Sequence, residues 1–409
     1  MKRVAVLTTS RSDFGLQIGL IRVLAGGADY SVDVIVTGSH FLDSSGESLA
    51  EIWRELKEIP VNVVEFPLDD SASLMGDGFG FMQVQGLALG RMVADATEFF
   101  DTHTFDALVF LGDRWELWGF VFPAFLSGIP LVHISGGETT LGAVDDSIRH
   151  SLSKLSSVHL VAASVYGETL SRMGEEDWRI AVCGELGLDE LHEGLFRERK
   201  DVLSDLGMAT TEDYVLLTFH PATRESQDHL LTSLENLSHG LASFPELAVV
   251  MTAPNAEPGS DLISDWGRAH AAAKENFFYH ESLGRGLYLE AMSHAALVFG
   301  NSSSGIVEAP SLGVWSLNVG SRQDGRLRAD SVIDVAIEAD KLRAGITKVF
   351  NTPRLGRGQI SNPYDPYGDG KNAIRGGRAL TRILENHSRE DLVRKSLDFN
   401  VRVSDWVSL

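Results

Sequence analysis

The chain has 409 residues, enough for two or three domains of roughly 100–200 residues each. Apolar residues make up 44% and charged residues 22%, which excludes a disordered tail or a fibre. Acids outnumber bases 57 to 35, a net charge of −22, which argues against a nucleic-acid or anionic-membrane binder because both need a cationic face.

The first half alternates strand, loop and helix. Val4–Leu7 reads as a short strand, Leu16–Leu24 as a helix, and Val32–Val36 as a second strand. A helix near Leu49–Leu56, an apolar run at Val61–Phe66 and a long helix from about Gln83 to Phe100 follow. Then come a strand at Ala107–Leu111, a helix from Glu116, a strand at Leu131–Ile134 and a helix near Asp146. Val158–Ala162 and Ile180–Cys183 read as the last strands of this half. Leu117 to Gly137 carries no charge over 21 residues, but Pro123, Pro130 and several glycines make it a buried helix, a turn and a strand rather than a membrane span. After Cys183 the chain becomes a charged connector, Glu185 to Asp213. A second alternation places strands at Tyr214–Thr218, Ala248–Thr252, Phe277–Tyr279, Leu297–Phe299 and Val314–Asn318. The charged end, Ala379–Leu409, reads as one or two helices. Such alternation builds parallel sheets covered by helices on both faces. The expected domains are 1–182, 183–378 and a helical segment 379–409.

One cysteine, Cys183, cannot form an internal disulfide, and no Cys/His cluster has zinc spacing. Met1-Lys2-Arg3 followed by Val4 to Leu7 is too short for a signal peptide. The expectation is a cytoplasmic protein that needs neither metal nor other cofactor.

In open α/β sheets ligands bind beyond the carboxyl ends of the strands, so the polar residues there carry the functional reading. Arg11, Arg114 and Arg322 each follow a predicted strand and could fork onto a diphosphate, or stand as surface arginines. Of the 35 basic residues 26 are arginine, which favours the first use. Gly300-Asn301-Ser302-Ser303-Ser304-Gly305 precedes a helix predicted near Ile306 and suits a phosphate at a helix N-terminus, or serves as an ordinary cap. Glu308, one turn in, would stay near the helix start or accept from ribose hydroxyls. Asp113, Asp145 and Asp146 precede helices and are caps or acid–base groups, with Glu138 as a further carboxylate. His220, at a strand end before Pro221, is an acid, a phosphate donor or a structural histidine. Trp115, Trp118, Phe120, Phe122 and Phe125 read as core. There is no Walker loop, no Gly-x-Gly-x-x-Gly after the first strand and no nucleophile elbow.

Five segments in this order form a recognisable set. They are Leu111-Gly112-Asp113-Arg114, His133-Ile134-Ser135-Gly136-Gly137-Glu138, Asp145-Asp146-Ser147-Ile148-Arg149-His150, the serine loop, and Tyr367-Gly368-Asp369-Gly370 with Asn372-Ala373. On them the chain resembles the hydrolysing UDP-N-acetylglucosamine 2-epimerases of sialic-acid and related nonulosonate (legionaminic-acid type) biosynthesis, over about residues 2 to 385. The resemblance implies a GT-B fold: two Rossmann-like, doubly wound domains with the active site in the inter-domain cleft, and the C-terminal helical segment packed back on the first domain. It implies UDP-holding roles for Arg11, Arg114, His280, Ser302, Ser303, Glu308 and Arg322, and catalytic roles for Asp113, Asp145 and His220. The implied reaction eliminates UDP to a glycal and hydrates it to a free manno-configured sugar, and a homodimer or homotetramer is implied. Where the animal enzymes have a carboxylate this chain has Ser135, so Glu138 joins the catalytic candidates and the sugar is either UDP-GlcNAc or its 4-acetamido-6-deoxy analogue. The segment Asn362 to Tyr367 is also lengthened. The competing readings are a GT-B glycosyltransferase, a non-catalytic nucleotide-sugar sensor and a non-hydrolysing epimerase.

Overall fold

The computed structural model of the protein describes residues 1–41, 48–67, 81–141, 145–192, 196–209, 213–221, 227–254 and 259–396. By internal contacts the chain divides into two units, Met1–Glu138 with Asp145–Asp189 and Lys371–Leu409, and Thr139–Val144 with Glu190–Gly370.

The first unit is a seven-stranded, all-parallel sheet. Its strands are β1 (Lys2–Thr8), β2 (Tyr30–Val36), β3 (Val61–Glu65), β4 (Ala107–Leu111), β5 (Leu131–Ile134), β6 (Val158–Val161) and β7 (Ile180–Val182), in the order β3-β2-β1-β4-β5-β6-β7. The order reverses between β1 and β4, which opens a crevice at their carboxyl ends. Alternate residues of β1 face opposite cores, as a pleated strand requires. Val4 and Val6 pack with Leu20, Leu24 and Leu380, while Ala5 and Leu7 pack with Phe100, Phe120 and Val121.

Two devices fasten the C-terminal segment within this unit. The helix Asn372–Asn386 lies along the helix Arg11–Ala25, close enough that a Cβ on Gly377 would sit 2.6 Å from Val23 Cγ1. The buried Arg179 guanidinium then donates to the Ser157 carbonyl and to those of Asp391, Leu392 and Arg394, satisfying acceptors left at the end of the helix Arg389–Val393. The end of the expected C-terminal helix, residues 397–409, lies outside the described residues.

The second unit repeats the plan with six parallel strands. These are β8 (Tyr214–Thr218), β9 (Ala248–Thr252), β10 (Phe277–His280), β11 (Leu297–Gly300), β12 (Ser316–Val319) and β13 (Val332–Val335), in the order β10-β9-β8-β11-β12-β13. The reversal falls between β8 and β11. The two parallel α/β units bear out the doubly wound fold class.

The uncharged stretch from Leu117 is a helix, Trp118–Leu126, then a turn and β5. Among the described residues no helix is long and apolar enough to cross a membrane. The expectation that all its aromatics are core is corrected: Phe120 is fully buried, but Phe122 and Phe125 are about two-fifths exposed on the outer side of that helix. Cys183 is buried, and burial pushes its thiol up to about 12.

Candidate active site

In the first unit the predicted residues stand where β1, β4 and β5 end. After β1, Ser10 caps the helix Arg11–Ala25 by accepting from the Asp13 N–H at 3.3 Å. Arg11 is that helix's first residue, its Nε 3.6 Å from Glu51. After β4, Gly112 adopts φ 82°, a left-handed turn that sets Asp113 and Arg114 side by side. Asp113 pairs with Arg149, which is buried and comes from the helix Asp145–Leu155. Arg114 pairs with Glu116, also buried. Asp145 opens the helix that carries Arg149, so one helix supplies both a candidate acid and the partner of another.

His133, in β5, holds the Gly112 turn from beneath. Its Nε2 lies 2.8 Å from the Gly112 carbonyl, which only accepts, so Nε2 carries the hydrogen and Nδ1 accepts from the Ser153 hydroxyl at 3.0 Å. Burial drives this ring down to about 3, which keeps it neutral and keeps that donor fixed. Beyond β5, Ser135 is the one non-glycine residue with positive φ among the described residues, at 63°. Its hydroxyl donates to the buried Glu185 at 3.3 Å. Gly137, at φ 76°, then passes so close to the Tyr166 carbonyl that a side chain would collide, and the buried Glu138 follows. Burial raises Asp13 to about 6, although Arg114 pulls it the other way.

In the second unit the ends of β8, β11 and β12 are bound together through one residue, Asn301. Its side chain accepts from the His220 N–H at 2.7 Å and donates to the His220 carbonyl at 2.8 Å. Its backbone carbonyl accepts from Gln323 Nε2 at 2.9 Å and Arg322 Nη1 at 3.4 Å. Gly300 makes this possible, since at φ 134° a Cβ would enter the Thr218 carbonyl. Burial, reinforced by Arg322, lowers His220 well below its ordinary value. The ring is therefore neutral, able to accept a proton or donate an N–H but not to act as a standing cation.

Two expectations about the serine loop are corrected. The helix predicted near Ile306 starts at Ser304 and ends at Val307, a single turn. Four residues align too few peptide dipoles to make an anion site of the helix end. Glu308 is not near the start of that helix but follows its last residue, where its N–H bonds the Ser304 carbonyl. Its carboxyl is buried, which raises it, and Arg285 Nη1 is 3.8 Å away. His280 ends β10, half-buried and lowered by burial, and its Nε2 has no hydrogen-bond partner among the described residues.

Thus Asp113, Arg114, Asp145 and Glu138 belong to one set of strand ends and His220, Ser302, Ser303 and Arg322 to another. Sequence reading did not single out Arg149, His133 or Asn301 as working residues. Their positions are suggestive, since Arg149 is one helical turn beyond Asp145 and Asn301 opens the loop after β11, but neither position names a partner. Among the described residues no group of three His, Cys, Asp or Glu side chains is placed to hold a metal.

Known proteins resemble the chain over most of its length. A family profile described as UDP-N-acetylglucosamine 2-epimerase matches residues 23–381. The GDP/UDP-N,N'-diacetylbacillosamine 2-epimerase (hydrolyzing) of Campylobacter jejuni is 32% identical over 82% of this chain and 85% of its own. The UDP-N,N'-diacetylbacillosamine 2-epimerase (hydrolyzing) of Legionella pneumophila is 30% identical over 94% of this chain and 96% of its own. In structure, the UDP-GlcNAc 2-epimerase of Neisseria meningitidis bound to UDP-GlcNAc superposes with a TM-score of 0.74 at 17% identity, covering 94% of this chain and all of that one, which fixes the fold. The chain therefore belongs to the UDP-N-acetylglucosamine 2-epimerase family and is an enzyme of its hydrolysing type.

Proposed function

We propose that the protein converts a UDP-2-acetamido sugar, UDP-GlcNAc or UDP-N,N'-diacetylbacillosamine, to UDP and the free manno-configured sugar. A base removes the C2 proton, the C–H electrons form the C1–C2 double bond, and the C1–O bond breaks with its electrons leaving on UDP. Water then gives hydroxide to C1 and a proton returns to C2 from the opposite face, so substrate plus water equals UDP plus sugar.

Asp113, Glu138, Asp145 and His220 form the acid–base set. Arg11, Arg114 and Arg322, with Ser302 and Ser303, offset the charge that grows on the departing diphosphate. His280 and Glu308 hold the nucleoside. No metal or redox cofactor enters this scheme. The observation that carries the reading is the agreement of hydrolysing relatives over 82% and 94% of the chain. The choice of a 4-acetamido-6-deoxy sugar is supported by the same two names, and a place in nonulosonate synthesis by the 29% identical Polysialic acid biosynthesis protein P7 of Escherichia coli. Self-association as a dimer or tetramer and a cytoplasmic place belong to the same proposal.

The test is incubation with each UDP-sugar and no acceptor. Free UDP with a manno-configured sugar is expected, faster from the bacillosamine nucleotide. A UDP-sugar inverted at C2 with no UDP released would assign the non-hydrolysing reaction instead, and UDP release only on adding an acceptor would assign glycosyl transfer.

A further inference from the structure

A chain of five hydroxyls runs beneath the serine loop. Thr252, the last residue of β9, pairs in register with Thr218, the last of β8, and their Oγ1 atoms are 2.8 Å apart. Thr218 Oγ1 lies 3.2 Å from the Tyr288 hydroxyl, on the helix Gly284–His294, and that hydroxyl lies 2.7 Å from Ser304 Oγ. Ser304 Oγ donates to Ser302 Oγ at 2.9 Å, and the Ser304 N–H reaches the same oxygen at 3.4 Å.

Counting hydrogens fixes the direction of every bond. Each hydroxyl has one hydrogen. Ser304 spends its hydrogen on Ser302, so Tyr288 must donate to Ser304. Tyr288 having spent its own, Thr218 donates to Tyr288, and Thr252 to Thr218. Ser302 Oγ accepts twice, and neither of those bonds uses its own hydrogen, which is left to donate. Thr218, Thr252 and Ser304 are buried, where aligned hydroxyls polarise one another more strongly than in water. The phenol keeps its hydrogen, since burial and the nearby Glu308 raise it.

We infer that Tyr288 is a positioning residue: through Ser304 it commits the Ser302 hydroxyl to donating to an anionic ligand, the diphosphate of the nucleotide sugar. The inference rests on the reading above that Ser302 grips that diphosphate. Tyr288 itself touches no ligand in this scheme. Its hydroxyl sets the sense of the chain, and its effect passes through Ser302 alone.

Calorimetric binding of UDP and of uridine separates the possibilities, using the full-length protein, Tyr288→Phe, Ser302→Ala and the double variant. A hydrogen bond to a charged group is worth about 1.5–3 kcal/mol, so Ser302→Ala should weaken UDP by about tenfold or more while leaving uridine within about twofold. Tyr288→Phe should weaken UDP by about three- to tenfold with uridine unchanged, and the double variant should match Ser302→Ala within about twofold, because coupled residues are non-additive. Thr252→Val, at the far end of the chain, should repeat the pattern more weakly and stands in if Tyr288→Phe does not fold. Losses that multiply in the double variant, or uridine weakened as much as UDP, would overturn the inference. If Ser302→Ala leaves UDP binding intact, the diphosphate reading itself fails and the inference goes with it.

Discussion

Asp113 sits on a turn made rigid from two directions. His133, neutral because it is buried, pins the Gly112 carbonyl, and the buried Arg149 pairs with the carboxylate itself. A carboxylate so held keeps its aim, as the proposed proton transfer requires. Asp113→Asn keeps the size and still offers an oxygen to Arg149 but cannot act as a base. General acid–base groups contribute about 10²–10⁴-fold, so turnover should fall at least about a hundredfold. UDP affinity, measured in parallel, should stay within a few-fold, whereas its collapse would make Asp113 a structural residue. Asp113 was picked out in the sequence because it stands one glycine beyond an apolar strand. Arg149 and Asn301 were not, because their partners Asp113 and His220 lie 36 and 81 positions away and only the fold brings them together.

At the scale of elements, the strands buried on both faces were the legible part. β1, β4, β8 and β9 each read as a continuous apolar run, as central parallel strands do. β13 escaped because it is a half-exposed edge strand with Asp334 in the middle. The helix after the serine loop was over-read because its apolar residues continue, whereas Pro310 disfavours helical geometry at Ala309. The packing of Asn372–Asn386 on Arg11–Ala25 offers a paired test. An added Cβ at Gly376 would lie 3.3 Å from Leu186 Cδ2, a flexible tip, but at Gly377 it would meet Val23, which is stiff at χ1. Alanine gains about 1 kcal/mol over glycine in a helix, while overpacking costs about 1–3 kcal/mol. Gly376→Ala should therefore be neutral or stabilising in urea unfolding and Gly377→Ala destabilising by about 1–2 kcal/mol. Equal effects at the two sites would contradict the packing described.

At the scale of the whole molecule, two parallel sheets present their functional side chains at the carboxyl ends beside a reversal of strand order, β1/β4 in one and β8/β11 in the other. Nothing in the alternation of strands and helices distinguishes an epimerase from a glycosyltransferase built on the same plan. In the function proposed above, that distinction lies in the carboxylates at the first reversal, whose proposed task is to carry a proton off the sugar and back. Turnover in deuterated water reads this directly. The account predicts free UDP and a manno-configured sugar carrying one deuterium at C2. A released sugar of unchanged configuration with hydrogen still at C2 would show no proton loss at C2 and would contradict it.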